Sequence, residues 1–394
     1  MIDADVIVVG AGPTGLLLAN LLGQRGTRCL VLEKRRESTP QSRAIGITPP
    51  SLDILRGVGL DGPFVAAGVA VGNAVVHGSR AELGRLSFQG IHTDFPFVLA
   101  LPQQRTVELL EAGALRYACV ELRHSVNVEQ ILQARQGVTA ECSDGTPLSA
   151  RYAVAADGAR SAIAAAAGVA LRRRVYRARF FMADFVDRSA LGSDAHLWFT
   201  RSGAVESFPL PAGARRWIVQ LPRGMALPGP GEDHDLEALV AARAGVVLQR
   251  CDRLWQSSFQ PERSELARFV DRRLFFAGDA AHTMSPIGGQ GMNTGFADAE
   301  LLCLTLLRAL ERGSAQPLEQ RATPRRYQAA RRSASRAAAR RAWAGMRVGT
   351  LRGRLVSAIR SVLIAGLLRI GSRPLARHFS MQTIPLRNAR LALR

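Results

Sequence analysis

The chain has 394 residues, 47% of them hydrophobic, so it is long enough for two or three domains with real cores. Its formal net charge is +20, but residues 321 to 394 hold 18 arginines and no Asp or Glu, so the charge belongs to a C-terminal segment. The five cysteines are scattered without a CxxC pair, which excludes a disulfide framework and a zinc site. No run of 18 uncharged apolar residues occurs, and Met1 to Ala4 lead straight into an apolar run, so we expect neither a transmembrane helix nor a signal peptide. These features predict a cytoplasmic protein.

The first stretch of the chain reads as strand, glycine turn, helix, strand and acid. Val6 to Val9 is a β-branched run, Leu16 to Leu22 has helical character, and a second apolar strand, Cys29 to Leu32, ends in Glu33. Between the first strand and the helix lies the turn Gly10-Ala11-Gly12-Pro13-Thr14-Gly15. This order predicts a dinucleotide site, because the glycines admit a pyrophosphate at a helix N-terminus and the acid accepts hydrogen bonds from a ribose.

Several short strands follow. A polar loop containing Lys34 and Arg43 comes first, and Arg43 would lie near the phosphates if this loop folds back, or in solvent if it does not. Glycine-separated strands are predicted between residues 71 and 99, and a helix over residues 105–117 follows Gln103. A strand over residues 152–156 leads into Asp157-Gly158, which is either a ligand-binding turn at the end of a strand or a plain Asp-Gly turn.

The region from 168 to 265 is predicted to be antiparallel, with strand-like runs joined by glycine and proline turns. Its aromatic residues line a flat apolar pocket or fill the core: Phe180, Phe181, Phe185, Trp198, Phe199, Phe208 and Trp217. A buried strand then ends in Gly278-Asp279, and a loop over residues 280–293 runs into a helix predicted for Thr294 to Arg308. That loop contains Pro286, Gly288, Gly289, Gly291, Met292 and Asn293, and its glycines before a helix suggest a site for a negative group.

Three motifs in this order resemble the FAD-dependent aromatic hydroxylases, the single-component flavoprotein monooxygenases similar to p-hydroxybenzoate hydroxylase. The motifs are Gly10 to Gly15 with Glu33, Asp157 to Ser161, and Gly278 to Asn293. The form of the last motif is nearest to the branch that acts on phenols and aromatic polyketides.

The resemblance implies roles for these residues. Glu33 holds the adenosine ribose, with Lys34 beside it, and Arg43 and Gln103 contact the ribose or phosphates. Asp157 and Gly158 serve FAD and the nicotinamide cofactor, and Asp279 holds the ribityl or pyrophosphate end. The backbone of Gly288 to Asn293 approaches the flavin, and Pro286 lies with Gly288 and Gly289 at the reacting face. The chemistry implied is reduction of FAD by NADPH or NADH, addition of O2 to give a flavin hydroperoxide, and hydroxylation of an electron-rich ring.

The implied fold class is α/β, α+β overall, with a Rossmann-like FAD-binding domain, an inserted antiparallel-sheet substrate domain and a helical C-terminal segment. The expected bounds are residues 1–71, 101–167 and 266–320 for the first, 72–100 and 168–265 for the second, and 321–394 for the third. Other functions remain open on the same fold: a halogenase, an isoprenoid reductase or a non-catalytic flavin-binding partner subunit. For the base that ionises a phenol, His196, Tyr176 and His92 are candidates.

The C-terminal segment has apolar residues at helical spacing between Leu355 and Ile370, with arginines beside them. It is judged too short and too charged to span a bilayer. Three interpretations remain: a helix packed on the FAD domain, a basic amphipathic surface for anionic lipid, or a dock for an acidic carrier protein. Nucleic-acid binding is not expected, because the fold offers no element that reads a groove. The oligomeric state is left open.

Overall fold

The computed structural model describes residues 2–37, 44–79, 81–227, 235–286, 289–311 and 322–382. The N-terminal elements are, in order, β1 (Ala4–Val9), α1 (Pro13–Gly23), β2 (Cys29–Leu32), β3 (Gly46–Ile47), α2 (Pro49–Arg56), α3 (Asp61–Ala67), β4 (Val69–Val71), β5 (Asn73–His77), β6 (Glu82–Ser87), β7 (Val98–Ala100) and α4 (Gln103–Ala114). Those of the middle region are β8 (Val120–Arg123), β9 (Val128–Gln133), β10 (Val138–Cys142), β11 (Pro147–Ala155), α5 (Ala162–Ala166), β12 (Leu171–Val175), β13 (Phe180–Val186), β14 (Ala195–Thr200), β15 (Gly203–Leu210), β16 (Ala214–Gln220) and α6 (Leu236–Ala244). The last are β17 (Arg253–Phe259), β18 (Glu262–Leu266), β19 (Val270–Asp271), β20 (Leu274–Phe276), β21 (His282–Thr283), α7 (Gln290–Glu311), α8 (Ala322–Gly349) and α9 (Arg354–Phe379).

A parallel sheet forms the centre of the main core. Its strands run β20-β11-β1-β2-β8, with β19 added antiparallel at one edge and the β9–β10 hairpin attached to β11. The apolar runs of β1 and β2 are buried along nearly their whole length, because α1 and other elements cover both faces. This sheet confirms the predicted Rossmann-like fold.

A second, seven-stranded sheet has the order β17-β13-β16-β15-β14-β5-β6. All its neighbouring strands are antiparallel except β14 and β5. Helix α6 covers one face, where Phe181, Trp198 and Trp217 form a core with Leu236 and Val240. The opposite face is turned toward β4 and β7, because Phe208 of β15 belongs to an apolar cluster with residues of those two strands. A small sheet, β3-β7-β4, therefore lies between this face and the parallel-sheet region.

Helix α7 begins one turn earlier than the sequence pattern predicted. It starts at Gln290, so Gly291, Met292 and Asn293 lie inside its first turn and not in the preceding loop. The turn closes because Gly289 adopts a φ of +62° and its N–H donates to the carbonyl of Pro286 at 3.0 Å. A left-handed residue at this point favours glycine, which the sequence supplies.

The two C-terminal helices pack on different parts of the molecule. Helix α8 lies against α7, whereas α9 lies against β6 and β14 of the seven-stranded sheet. The interpretation that the helix near residues 355–370 packs on the cofactor-binding domain is therefore wrong. Its contacts explain the difference, because Arg360 is buried and donates to the carbonyls of Phe199 and Thr200 at the end of β14.

Helix α9 is also longer than the apolar pattern indicated. It has 26 residues, and its most apolar stretch of 18 residues has a mean hydropathy of 1.6. Only 17% of that stretch is buried. By length and composition it is the one helix among the described residues that could cross a membrane, so the judgement that the segment is too short was wrong. A kink divides it, since Gly371 departs from helical geometry and Pro374 follows.

A buried ion pair attaches α8 to the core. Arg331 of α8 donates from Nε to Asp298 Oδ1 of α7 at 2.5 Å and from a terminal nitrogen to the Thr294 carbonyl at 3.0 Å. The other oxygen of Asp298 accepts the Gly278 N–H at 2.9 Å and lies 2.7 Å from His282 Nε2. Although burial alone would raise it, these partners, Arg331 foremost, lower the pKa of Asp298 to about 2.

We expect Arg331→Met to lower the free energy of unfolding by about 3–5 kcal/mol, because it leaves a buried carboxylate without its cation. Arg340→Met is the matched control, since Arg340 is exposed on the same helix and its loss should change stability by about 0.5 kcal/mol or less. Urea denaturation followed by circular dichroism measures both variants. Equal stability of the two variants would mean that the pair does not anchor α8.

Candidate active site

The turn between β1 and α1 places two glycines where a side chain cannot fit. Gly10 has a φ of +107°, and a Cβ there would lie 2.5 Å from the carbonyl oxygen of Ala156. A Cβ at Gly15 would lie 2.1 Å from the Gly10 carbonyl oxygen. Gly12, by contrast, has open space beside it and caps a helix that begins with Pro13. The turn is thus tight on its protein side and open at the helix N-terminus, where backbone N–H groups favour an anion.

Thr14 joins this turn to the third sequence motif. A Cβ at Gly278 would lie 2.5 Å from Thr14 Oγ1, and a Cβ at Gly295 would lie 2.3 Å from the same atom. Two glycines, one after β20 and one in α7, therefore make room for a single threonine side chain. Because Gly10 also lies against Ala156, next to Asp157, all three motifs meet at the carboxyl ends of β1, β11 and β20.

Two acidic side chains border this meeting point. Glu33 accepts the N–H of Ala11 at 2.9 Å on one oxygen and the N–H of Arg35 at 3.0 Å on the other. Asp157 accepts the Ile163 N–H with Oδ2 at 3.3 Å, while its Oδ1 is buried with no hydrogen-bond partner among the described residues. Burial raises the pKa of Asp157. An unpartnered buried oxygen is costly in a protein interior, so this atom fits a ligand hydroxyl or N–H.

Asp279 lies in the turn after β20, beside the start of α7. Its side chain is exposed, and desolvation by the surrounding protein raises the pKa of its carboxyl. A Cβ on Gly291 would lie 4.0 Å from Asp279 Oδ1, so the carboxylate sits beside the first turn of α7. The Asp298 bond to the Gly278 N–H holds this Gly278–Asp279 turn from behind.

The loop before α7 is held by the side chain of Asn293. Its Oδ1 accepts from the N–H and the hydroxyl of Thr48 at 2.9 and 3.1 Å, and its Nδ2 donates to the carbonyls of Gly46 and Gly289 at 2.9 and 2.6 Å. The polar atoms of the Asn293 side chain are therefore all bonded to protein, so only its backbone is left for the predicted approach to the flavin. Pro286 and Gly289 lie in this loop, whereas the predicted residue Gly288 lies outside the described residues.

The remaining predicted cofactor residues are spread around the same cleft. Gly158 has a φ of +87° with open space beside it, and Gln103 begins α4. Met292 lies in the first turn of α7 and packs partly on the core. Lys34 is exposed after β2. Arg43 lies outside the described residues.

The aromatic residues of the seven-stranded sheet divide between its two faces. Trp198 and Trp217 stack at 5.6 Å between ring centroids, and His196 stacks on Trp198 at 5.5 Å, all on the face covered by α6. Phe199 and Phe208 lie on the opposite face, because side chains alternate along a strand. The pocket interpretation therefore fails for the tryptophans, which are core.

None of the three predicted bases is placed for that role. His196 lies on the α6 face, where its Nδ1 is 3.0 Å from His77 Nε2 and burial lowers its pKa. His92 Nε2 lies 3.0 Å from a carboxylate oxygen of Asp53. Tyr176 is buried in the connection after β12, where its backbone N–H donates to the Pro261 carbonyl and burial raises its pKa.

An unpredicted residue, Glu206, occupies the face turned toward β4 and β7. It sits on β15 between Val205, which belongs to the α6-side core, and Ser207, and it shares its face with Phe208. Only 6% of Glu206 is exposed, and burial raises the pKa of its carboxyl to about 7. The sequence signal was weak, since β15 is buried along its length and lacks the alternation that marks a half-buried strand.

Comparison with known proteins shows which family this chain belongs to. Residues 3–342 match the FAD binding domain family. The chain belongs to this family. A rifampicin monooxygenase of Streptomyces venezuelae is 35% identical over 304 residues, which are 75% of this chain and 62% of that protein. The chain thus spans about three fifths of the length of the curated relatives it matches, at 62, 63 and 62% for three of them.

Solved structures agree with this assignment. The anhydrotetracycline hydroxylase OxyS of Streptomyces rimosus has a TM-score of 0.77 at 28% identity, covering 97% of this chain and 76% of that one. The p-nitrophenol 4-monooxygenase of Pseudomonas putida shares the fold, with a TM-score of 0.84 at 21% identity over 98% of both chains. The resemblance to FAD-dependent aromatic hydroxylases is thereby confirmed.

The residues present fit FAD. Open space beside Gly12 suits a pyrophosphate, and the unpartnered oxygen of Asp157 and the exposed Asp279 carboxylate offer acceptors for ribose or ribityl hydroxyls. Both oxygens of Glu33 already accept a backbone N–H, but a carboxylate has further lone pairs for a ribose hydroxyl.

The raised pKa of Glu206 predicts a pH-dependent cost to stability. Its ordinary value is 4.5 and its folded value is about 7, so the folded state holds this proton more tightly. The cost is absent below about pH 4.5, grows as pH rises through 7, and reaches about 3 kcal/mol above it. Between pH 5 and pH 8 we therefore expect wild type to lose about this much stability relative to Glu206→Gln, in urea titrations. Parallel pH profiles of the two proteins would contradict a buried, desolvated carboxyl.

Proposed function

We propose that this chain is an FAD-dependent monooxygenase that uses NAD(P)H and O2 to hydroxylate an electron-rich aromatic small molecule, phenolic or polyketide-like. The observation that carries the proposal is the convergence of the three motifs on one cleft, with Thr14 packed against Gly278 and Gly295, in a chain of the FAD binding domain family. Relatives named rifampicin monooxygenase and anhydrotetracycline monooxygenase support a monooxygenase that acts on an organic small molecule.

In this proposal each part of the cleft has a role. The α1 N-terminus holds the pyrophosphate, Glu33 and Asp157 bind ribose hydroxyls, and Asp279 binds the ribityl or pyrophosphate end. The first turn of α7 presents N–H groups to the flavin edge, where they favour negative charge. Bound FAD supplies hydride acceptance from NAD(P)H and activation of O2, while the protein positions the ring and excludes water.

We also propose the predicted domain division and a cytoplasmic location. The strands β5 and β6 pair with β14 in the seven-stranded sheet, although they precede β8 in the chain, which supports an inserted substrate domain. Strand β7, within the range 72–100, pairs instead with β3 and β4. The five cysteines are free thiols, which supports a reducing compartment.

The test of the enzymatic proposal is NAD(P)H oxidation under air by the FAD-loaded protein, with a panel of neutral phenols of one to four rings. We expect at least one phenol to stimulate oxidation and to yield a product that has gained one oxygen atom. Asp279→Ala should lose most bound FAD and this turnover, because one hydrogen bond to a cofactor hydroxyl contributes about 1–3 kcal/mol. Exposed Glu82→Gln is the control that should keep both.

Other outcomes would favour the alternatives. A chloride-dependent product would identify a halogenase, and reduction of an isoprenoid double bond without O2 would identify a reductase. FAD binding without any NAD(P)H oxidation would favour a non-catalytic partner subunit.

A second proposal concerns the outer face of α9, defined by Leu355, Ile359, Val362, Leu363 and Ile370. These side chains are exposed, Leu355 by 74%, Val362 by 72% and Ile370 by 92%. We propose that this outer face rests on an anionic lipid surface. Residues 322–382 contain no Asp or Glu, so two copies meeting through this face would bring like charges together, whereas an anionic surface complements them.

Flotation with phosphatidylglycerol and phosphatidylcholine vesicles tests this face. We expect binding to the anionic vesicles that weakens at high salt. We also expect a loss of about tenfold or more in Val362→Ser/Ile370→Ser, because each change removes exposed apolar area that the lipid would cover. Leu132→Ser/Leu254→Ser, at exposed apolar sites elsewhere, is the control. Absence of vesicle binding contradicts the proposal. Binding of an acidic carrier protein, or a dimer lost in the α9 variant, would identify that occupant instead.

A further inference from the structure

Glu206 is the centre of an apolar row that crosses the seven-stranded sheet. In the register of the sheet it lies opposite Leu197 on β14 and Ile218 on β16. The row continues to Val76 on β5 and Met182 on β13. Directly paired residues lie on the same face of a sheet, so a single carboxyl is flanked on both sides by hydrocarbon.

The carboxyl has no partner in the protein. Among the described residues it makes no hydrogen bond and no ion pair, and burial is the only cause of its raised pKa. Native proteins rarely leave a buried acid unpaired, because desolvating it without compensation is costly. Such a group is a candidate for contact with a bound molecule.

The charged groups nearby are engaged elsewhere. Arg216, one row away on β16, pairs with Asp184 at 2.7 Å and lies over the ring of Trp255, on the far side from β14. His196 of β14 and His77 of β5 belong to the α6 face. Strands β4 and β7, which pack on β15, carry no titratable side chain. Helix α9, which packs at the β6 end of the same face, contributes the apolar Leu368, Leu375 and Ala376 there. No described group therefore competes with a ligand for Glu206.

The row faces the same side as the loop before α7. On one side of it Phe208 packs against the same apolar cluster as Val98 of β7, and Gly46 of β3 lies beside both Val98 and Gly289. On the other side Phe199 lies against Gly349 at the end of α8. Ser285, just before the loop, donates its hydroxyl to Met346 of the same helix end. Glu206 thus lies between two contacts that both connect the sheet face to the loop.

We propose that Glu206 contacts the substrate directly and accepts the proton of its phenolic hydroxyl. This inference rests on the proposed function and names the base that the hydroxylation needs. The O–H bond of the phenol breaks, an O–H bond forms on the carboxylate, and the electron pair stays on the phenolate oxygen. The resulting anion is a more electron-rich ring for oxygen transfer.

The overall reaction balances with the proposed co-substrates. One NAD(P)H, one proton and one O2 convert the phenol to a dihydroxylated product, NAD(P)+ and water. Glu206 returns its proton when the product hydroxyl is re-formed, so it is unchanged over the cycle.

The same row restricts the substrate class. The row offers an acid among apolar side chains and no free cation among the described residues, so it favours an uncharged phenol over a carboxylated one. A substrate carboxylate beside an ionised Glu206 would place like charges in a desolvated site.

The experiment compares Glu206→Gln with wild type on matched phenols that differ in acidity. The probes are 4-methylphenol and its 2,3,5-trifluoro derivative, which is more acidic but keeps one ring position beside the hydroxyl free for oxygen insertion, together with the best phenol of the panel and a derivative fluorinated in the same way. At pH 8 we expect kcat/KM of the variant to fall about 100-fold or more on the weakly acidic phenol. The fluorinated phenol reaches the site already ionised, so it needs no base and meets no like charge in the variant, and its kcat/KM should fall much less or rise. The activity of the variant on the weak acid should recover as pH rises toward the phenol's own pKa of about 10.

Three readouts separate this role from a structural one. The loss should fall on kcat more than on FAD content or Tm, the wild-type rise in kcat/KM near pH 7 should disappear in the variant, and 4-hydroxybenzoate should be a far poorer substrate than 4-methylphenol. Glu82→Gln, exposed on β6 of the same sheet, should behave as wild type. If wild type turns over phenols and Glu206→Gln loses equally on both phenols, or loses nothing on either, Glu206 does not have this role. The proposed function would then still stand. No phenol turnover by wild type would overturn both.

Discussion

The Asp298 carboxylate is the interaction on which the cofactor cleft depends. Buried in α7, it receives the Arg331 guanidinium from α8, the Gly278 N–H from the turn after β20, and a contact with His282. One anion therefore fixes three segments that are far apart in the chain. Its partners lower its pKa to about 2, so the carboxylate is charged in the folded protein at neutral pH. The C-terminal helix α8 thus belongs to the framework of the site and is not an appendage.

Close backbone approach is the second constraint. The Thr14 side chain fits only because Gly278 and Gly295 lack a Cβ. The β1–α1 turn closes only because Gly10 and Gly15 also lack one. These contacts draw the carboxyl ends of β1, β11 and β20 together, where an anion meets helix N–H groups. Asn293 completes the arrangement by tying the loop before α7 to β3 with all its polar atoms.

The two faces of the seven-stranded sheet are covered by different elements. Helix α6 and the stacked His196, Trp198 and Trp217 fill the first. The second carries Glu206 in an apolar row and is partly covered by β4, β7 and α9. Helix α9 lies against the β6 edge of this sheet, and its Arg360 donates to the carbonyls that end β14. The opposite side of the helix is exposed.

The sequence by itself determined the local parts of this protein. Two local patterns carry the prediction: the β1–α1 glycine turn followed by Glu33, and the Gly278–Asp279 turn. Within each pattern the residues lie close together in the chain, so the sequence predicts the turn and the kind of ligand that it binds. Tertiary structure alone decided the rest. Both faces of β15 are buried, so its sequence does not alternate between polar and apolar residues and gives no signal for Glu206. His196 was a candidate base because of its residue type alone. Arg331 pairs with Asp298, 33 residues away, and Arg360 donates to carbonyls of β14 that lie 160 and 161 residues away. A side chain's charge does not reveal which distant carboxylate or carbonyl it will meet.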